Sequence, residues 1–148
     1  MIVSDLIRPE QVALDVRLRD KKQLLEDLGR RAAPLTGQDA DTIVRALAER
    51  EQLGSTGLGR GFALPHARIV GLRDFLGLFL RLARPIVFDA IDEQPVDLVF
   101  LLLVPADAEN QHVPALAAIS RTMRNGDVLT GLRKAESAEE VYRLLIGP

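Results

Sequence analysis

The chain has 148 residues, 47% of them hydrophobic, with a formal net charge of −2 and no cysteine. That length fits a single domain with one well-formed core, and the charge balance gives no electrostatic basis for binding nucleic acid. The absence of cysteine rules out disulfides, thiol catalysis and thiolate metal sites, and agrees with a reducing compartment.

Met1 to Arg8 lacks a basic stretch followed by a long apolar one, so no signal peptide is expected. Val12 to Leu18 alternates apolar and polar residues, as a half-buried strand does. Asp20 is placed to cap a helix through about Ala33, with Leu24, Leu28 and Ala32 on one face. Asp39 or Asp41 opens a second helix to about Leu53, where Gly54 suits the stop. Phe62 to Leu64 reads as a short strand, Phe75 to Ala83 as a longer one, and Ile86 to Phe88 as a possible third. Val96 to Val104 is almost wholly apolar, which predicts a central strand covered on both faces. Its apolar run, Leu98 to Val104, falls far short of the roughly 20 residues that span a bilayer. Helices are expected from about Asn110 to Met123, Asp127 to Lys134 and Ser137 to Ile146. The last opens with Ser137-Ala138-Glu139-Glu140, a capping-box pattern. No repeat, low-complexity segment or linker interrupts the chain. The expectation is an α/β fold: one domain over residues 1–148, a mixed β-sheet with helices on both faces, soluble and cytoplasmic.

Chemistry concentrates between Gly54 and His66. Four glycines, at 54, 57, 59 and 61, flank Ser55 and Thr56, and the segment ends at Pro65-His66. A loop of this kind can bring backbone N–H groups and hydroxyls, here Ser55, Thr56 and Gly57, close to an anion. It is not a Walker A loop, since no Gly-Lys-Ser/Thr follows, and it precedes a strand where a dinucleotide fingerprint would open a helix. A site for one phosphoryl group fits better than a nucleotide site. Pro65 fixes the backbone ahead of His66, a rigid mount for an imidazole that is largely neutral and nucleophilic at pH 7. The same histidine could instead be a hydrogen-bonded structural residue. Arg50 follows Ile43 and Leu47 on one helical face, where it needs an anionic partner or must reach water. It could equally serve as a favourable charge at the helix end. His112 falls at the start of the helix that Pro114 helps to open, a location that favours anions; a plain surface histidine is the alternative. Ser55 or Thr56 with a histidine could suggest a hydrolase, but no G-x-S-x-G elbow is present. The histidines with Asp97, Asp107 or Glu109 match no metal-ligand spacing, and no metal or cofactor is expected.

The run from Ala48-Glu49-Arg50-Glu51-Gln52-Leu53-Gly54-Ser55-Thr56-Gly57 through Pro65-His66 resembles the active-site signature of the type-2 enzyme IIA domains of the bacterial phosphoenolpyruvate-dependent phosphotransferase system. The resemblance continues in Phe88-Asp89-Ala90-Ile91-Asp92, in Gln94-Pro95-Val96-Asp97, in Leu102-Leu103-Val104-Pro105-Ala106-Asp107 before His112, and in the C-terminal helices. Within the family it is most similar to the nitrogen-regulatory branch, whose members stand alone without a fused enzyme IIB or membrane domain. The resemblance implies a mixed α/β sandwich, a phosphorylated histidine at His66 and a supporting histidine at His112. It further implies that Arg50 stabilises the phosphate and that Ser55, Thr56 and Gly57 form the phosphate-side loop. It also implies partners: an HPr-like phosphocarrier protein as donor and regulatory protein targets that sense His66. Alternatives are a sugar-specific enzyme IIA that passes the group to an enzyme IIB, and a binding module that transfers nothing. One departure is Pro114, two residues after His112. Arg50, Arg60 and Arg68 cluster in sequence around the loop, and a docking face is expected there around Leu58 and Phe62.

Overall fold

The computed structural model describes residues 1–147, so the last residue of the expected domain lies outside the described residues. Two 3-10 turns, Val3–Asp5 and Pro9–Gln11, precede strand β1 (Val12–Val16) and helices α1 (Lys21–Thr36) and α2 (Ala40–Gln52). Strands β2 (Gly57–Gly59), β3 (Phe62–Ala63), β4 (His66–Ile69), β5 (Leu76–Ile86) and β6 (Val96–Pro105) follow, and helices α3 (His112–Met123), α4 (Gly126–Lys134) and α5 (Ala138–Ile146) close the chain.

The helix starts follow from their caps. Asp20 accepts from the Gln23 N–H at 2.8 Å and Ser137 from the Glu140 N–H at 3.2 Å. Of the two candidates for α2, Asp39 does the capping, accepting from the Thr42 N–H at 3.1 Å. The return arm of the expected capping box reaches one residue further back, with the Glu136 N–H donating to Glu140 at 3.3 Å. α1 runs past Ala33 and through Pro34 to Thr36. The Thr36 hydroxyl donates to the Ala32 carbonyl at 2.9 Å, and Gly37, at φ 73°, donates its N–H to the Ala33 carbonyl. Those bonds close the last turn without the donor that proline lacks.

The sheet is mixed, as expected. β6 lies antiparallel to β5 and parallel to β3 and β4; β1 runs parallel to β5 at one edge, and β2 antiparallel to β3 at the other. All of β6 except Asp97 is buried. Its side chains alternate between two cores. Leu98, Phe100, Leu102 and Val104 pack with Ala115, Ile119, Leu132 and Leu145 of α3 to α5. Val99, Leu101 and Leu103 pack with Leu24, Leu28, Ile43 and Leu47 of α1 and α2. Helices therefore cover both faces.

Three strand readings need correction. β1 stops two residues before Leu18, because Asp15 takes φ 54° and the pairing with β5 shifts between Ala13 and Val16. Ile86 to Phe88 is no separate strand: Ile86 ends β5, paired with Val96, and Phe88 is a fully buried core residue beyond it. The strand expected from Phe62 to Leu64 ends at Ala63, and a further strand that the sequence reading did not include, β4, starts at His66 beyond Leu64-Pro65. Pro65 has no N–H to give, and the Leu64 N–H turns to the Thr56 carbonyl at 2.9 Å. The register with β6 is nonetheless unbroken, since His66 pairs with Leu102 as Phe62 pairs with Leu98.

Candidate phosphoryl-acceptor site

α2 packs against β4, and this contact builds the site. Ile43 and Leu47 bury their side chains in the core below α2. Arg50, next along that stripe, emerges in the last turn beside His66. Its Nη1 donates to the Gly54 carbonyl at 2.8 Å, and its Nε lies 3.3 Å from His66 Nε2. His66 opens β4 with Nδ1 2.9 Å from the Leu64 carbonyl. A carbonyl only accepts and a guanidinium only donates, so both contacts select the same tautomer: the proton on Nδ1 and the lone pair on Nε2. Desolvation lowers the pKa of the half-buried ring; the Leu64 carbonyl opposes that shift, Arg50 adds to it, Glu51 opposes it and His112 adds a further decrease.

His112 is the first residue of α3, whose N-terminus carries no side-chain cap. Pro114 lies in the first turn, where its missing N–H costs no intrahelical bond, so the departure noted in the sequence leaves the helix start intact. Arg68, two residues along β4 from His66, donates from Nη2 to the Glu109 carbonyl at 2.5 Å and lies 2.7 Å from His112 Nδ1. Arg50, His66, Arg68 and His112 line one cleft of about 400 Å³, walled by Ala46, Leu53, Ala67 and Val104. The cleft juxtaposes a ring nitrogen lone pair, two guanidinium groups and a second imidazole, with the Glu49 side chain also on its lining.

The three glycine-loop residues are held elsewhere. Ser55 donates its hydroxyl to the Phe88 carbonyl at 3.1 Å and accepts from the Gly57 N–H. Thr56 is buried and gives both its N–H and its hydroxyl to the Glu51 carboxylate. At Gly57 an added Cβ would stand 2.7 Å from the Ala90 Cβ, so close packing explains that glycine. None of the three lines the cleft. Arg60 and Phe62 also depart from expectation. Arg60 lines a separate cleft with Leu58 and Arg124, and Phe62 is only 3% exposed. The apolar residue exposed at the His66 cleft is Leu53, 85% exposed at the C-terminal end of α2.

Sequence reasoning missed the link from α1 to Glu51 of α2 and to Phe88 beyond β5. Lys21 Nζ lies 2.7 Å from Glu51, 3.3 Å from the Phe88 carbonyl and 4.3 Å from the Phe88 ring centre. It counted Arg68 only as rim charge, although spacing by two along a strand puts a residue on the same side as His66. Asp97 pairs with Arg133 at 2.9 Å. Among the described residues no group of three or more His, Asp or Glu side chains is disposed to hold a metal, and no helix is long and apolar enough to cross a membrane.

Comparison with known proteins matches residues 5–147 to the family described as "Phosphoenolpyruvate-dependent sugar phosphotransferase system, EIIA 2". The chain belongs to this family. Among EIIA 2 relatives, the nitrogen regulatory protein of Bradyrhizobium diazoefficiens is 43% identical over 148 residues, covering 100% of this chain and 97% of that protein. The nitrogen regulatory protein of Pseudomonas aeruginosa is 38% identical over 145 residues, covering 97% and 94%. The crystal structure of nitrogen regulatory protein IIA-Ntr from Neisseria meningitidis superposes with a TM-score of 0.92 at 34% identity, covering 97% of this chain and 98% of that one. The EIIA 2 fold expected from the sequence is thus the one observed. The chain is a phosphotransferase component, a phosphocarrier of the system with a nitrogen-regulatory role.

Proposed function

We propose that His66 Nε2 accepts a phosphoryl group from the phosphohistidine of an HPr-like carrier protein in the cytoplasm, and that regulatory partners respond to whether His66 carries it. The observation that carries this reading is the pair of contacts His66 makes, Nδ1 to the Leu64 carbonyl and Nε2 to the Arg50 guanidinium, which together assign the proton to Nδ1 and leave the Nε2 lone pair facing the cleft. As the phosphorus–nitrogen bond to the carrier breaks and the bond to Nε2 forms, positive charge grows on the His66 ring. The Leu64 carbonyl stabilises that charge through Nδ1–H, while Arg50 and His112 meet the equatorial phosphoryl oxygens. The backbone and hydroxyls of Ser55, Thr56 and Gly57 hold the floor of α2 in place in this scheme, and the side chains in the cleft contact the phosphate. Leu53, exposed beside the cleft, supplies an apolar contact for the docking carrier.

The test is transfer from phosphoenolpyruvate through purified enzyme I and an HPr-like carrier, with the modified residue located by mass spectrometry. Acid-labile, base-stable label on His66, absent from His66→Ala, is expected; label that persists in His66→Ala overturns the assignment. His112→Ala is expected to take label more slowly, because the nucleophile is intact. Complete loss of label in His112→Ala with retention in His66→Ala would reverse the two roles.

A further inference from the structure

Building on the reading that His66 carries the phosphoryl group, we propose that Arg68 is a positioning residue that holds His112 as its Nε2–H tautomer. The cleft then presents a lone pair from one imidazole and a donor from the other.

Arg68 makes three contacts across the turn that leads into α3. Nη1 donates to the Ala106 carbonyl at 3.3 Å, Nη2 donates to the Glu109 carbonyl at 2.5 Å, and Nη2 also lies 2.7 Å from His112 Nδ1. A guanidinium nitrogen has no lone pair to offer, so Nδ1 accepts, and the proton of the neutral ring resides on Nε2. The two protons of Nη2 serve the two acceptors, one each. His112 Nδ1 also stands 3.2 Å from the Glu109 carbonyl. With Arg68 present, that approach brings two acceptors together around a shared donor group. Without Arg68, the same 3.2 Å separation suits an N–H···O bond from Nδ1 to Glu109. The ring thus lies between two partners of opposite hydrogen-bonding sense, and Arg68 decides between them.

The choice matters because phosphoryl oxygens only accept. In the Nε2–H form His112 can donate to them from Nε2; in the Nδ1–H form it would turn a lone pair towards them. His66 has the opposite tautomer, fixed by Leu64 and Arg50. A merely structural role for Arg68, clamping the turn from Ala106 to Glu109, would leave the His112 tautomer unmoved by its removal.

The chain has two histidines, so long-range ¹H–¹⁵N correlations of the uniformly labelled protein give one imidazole pattern for each. At about pH 8, above the ordinary imidazole range, His66 is expected to show an unprotonated Nε2 and His112 an unprotonated Nδ1. In Arg68→Met the His66 pattern should persist and the His112 pattern should invert; Arg68→Lys should retain the wild-type pattern. Label transfer to His66 should slow by roughly ten- to a hundredfold in Arg68→Met, the scale of one lost charge-assisted hydrogen bond, and recover in Arg68→Lys. A wild-type His112 protonated on Nδ1 overturns the proposal. So does an Arg68→Met variant that keeps Nε2–H, or one that inverts the ring yet accepts label at the wild-type rate. The tautomers are read without phosphate. Tautomers that behave as expected in a wild-type protein that takes no label would therefore uphold the tautomer assignment and defeat the phosphocarrier reading of His66.

Discussion

Replacing Lys21 with methionine is expected to destabilise the fold more than replacing its partner Glu51 with glutamine. The Glu51 side chain is 6% exposed and that of Lys21 22% exposed. Lys21→Met therefore strands a carboxylate in the interior, while Glu51→Gln leaves an ammonium that can turn towards water. Removing one partner of a buried pair costs about 3–5 kcal/mol. Thr56 still donates its N–H and hydroxyl to Glu51 in Lys21→Met, which argues for the lower end. The cation–π contact with Phe88 and the bond to its carbonyl are lost as well, together worth about 1 kcal/mol. A total of about 4 kcal/mol corresponds to a fall in Tm of roughly 8–16 °C for a chain of this size. Urea denaturation of wild type, both single variants and the double variant would measure it. The double variant should be more stable than Lys21→Met alone, since it no longer buries an unpaired charge. A loss below about 1 kcal/mol in Lys21→Met, or a larger loss in Glu51→Gln, would refute the reasoning.

Arg50→Ala should raise the barrier to label transfer onto His66 by about 2–4 kcal/mol, as loss of a preorganised electrostatic donor typically does. Single-turnover kinetics would show this, and thermal stability should change far less. The lowered pKa of His66 gives a signed pH dependence. Between the ordinary value near 6.5 and the lower folded value, the unfolded chain holds a proton that the native ring does not, so stability falls as pH falls through that window. NMR titration should place the His66 midpoint below the ordinary value near 6.5, and a midpoint at or above 6.5 would contradict the desolvation described. Gly57→Ala drives a Cβ against Ala90 and should cost about 1–3 kcal/mol by calorimetry, while protein that remains folded should still take label on His66.

Local rules carried far in this chain. Asp20, Asp39 and Ser137 cap the helices they precede, and the apolar run from Val96 becomes a strand covered on both faces, because capping and burial depend on neighbouring residues and on period. Arg50 was legible for the same reason: an arginine ending a stripe of Ile43 and Leu47 has few places to go. The interactions that were not legible join distant segments. Glu51 meets Lys21 across the α1–α2 pair, and Ser55 meets the Phe88 carbonyl from 33 residues away. Nothing in the spacing of Ser55, Thr56 and Gly57 separates hydroxyls that hold a fold from hydroxyls that hold a phosphate; the buried Glu51 carboxylate, invisible as such in the sequence, claims Thr56. Arg60 and Arg68 look alike on paper, but Arg60 follows a tight turn at φ 57° into a different cleft.

The unbroken register across Pro65 constrains how this chain can vary in length. β3 and β4 read as one extended segment laid along β6, and successive residues on it face opposite sides. Adding or removing a single residue between Ala63 and His66 would turn the imidazole to the side that Ala67 now occupies, inside the core beneath α2. A change of two residues would restore the side but move the ring two residues along β6, away from Arg50. Composition in this stretch is free to drift wherever packing permits, whereas its length is held by parity on one hand and by the reach of an arginine on the other.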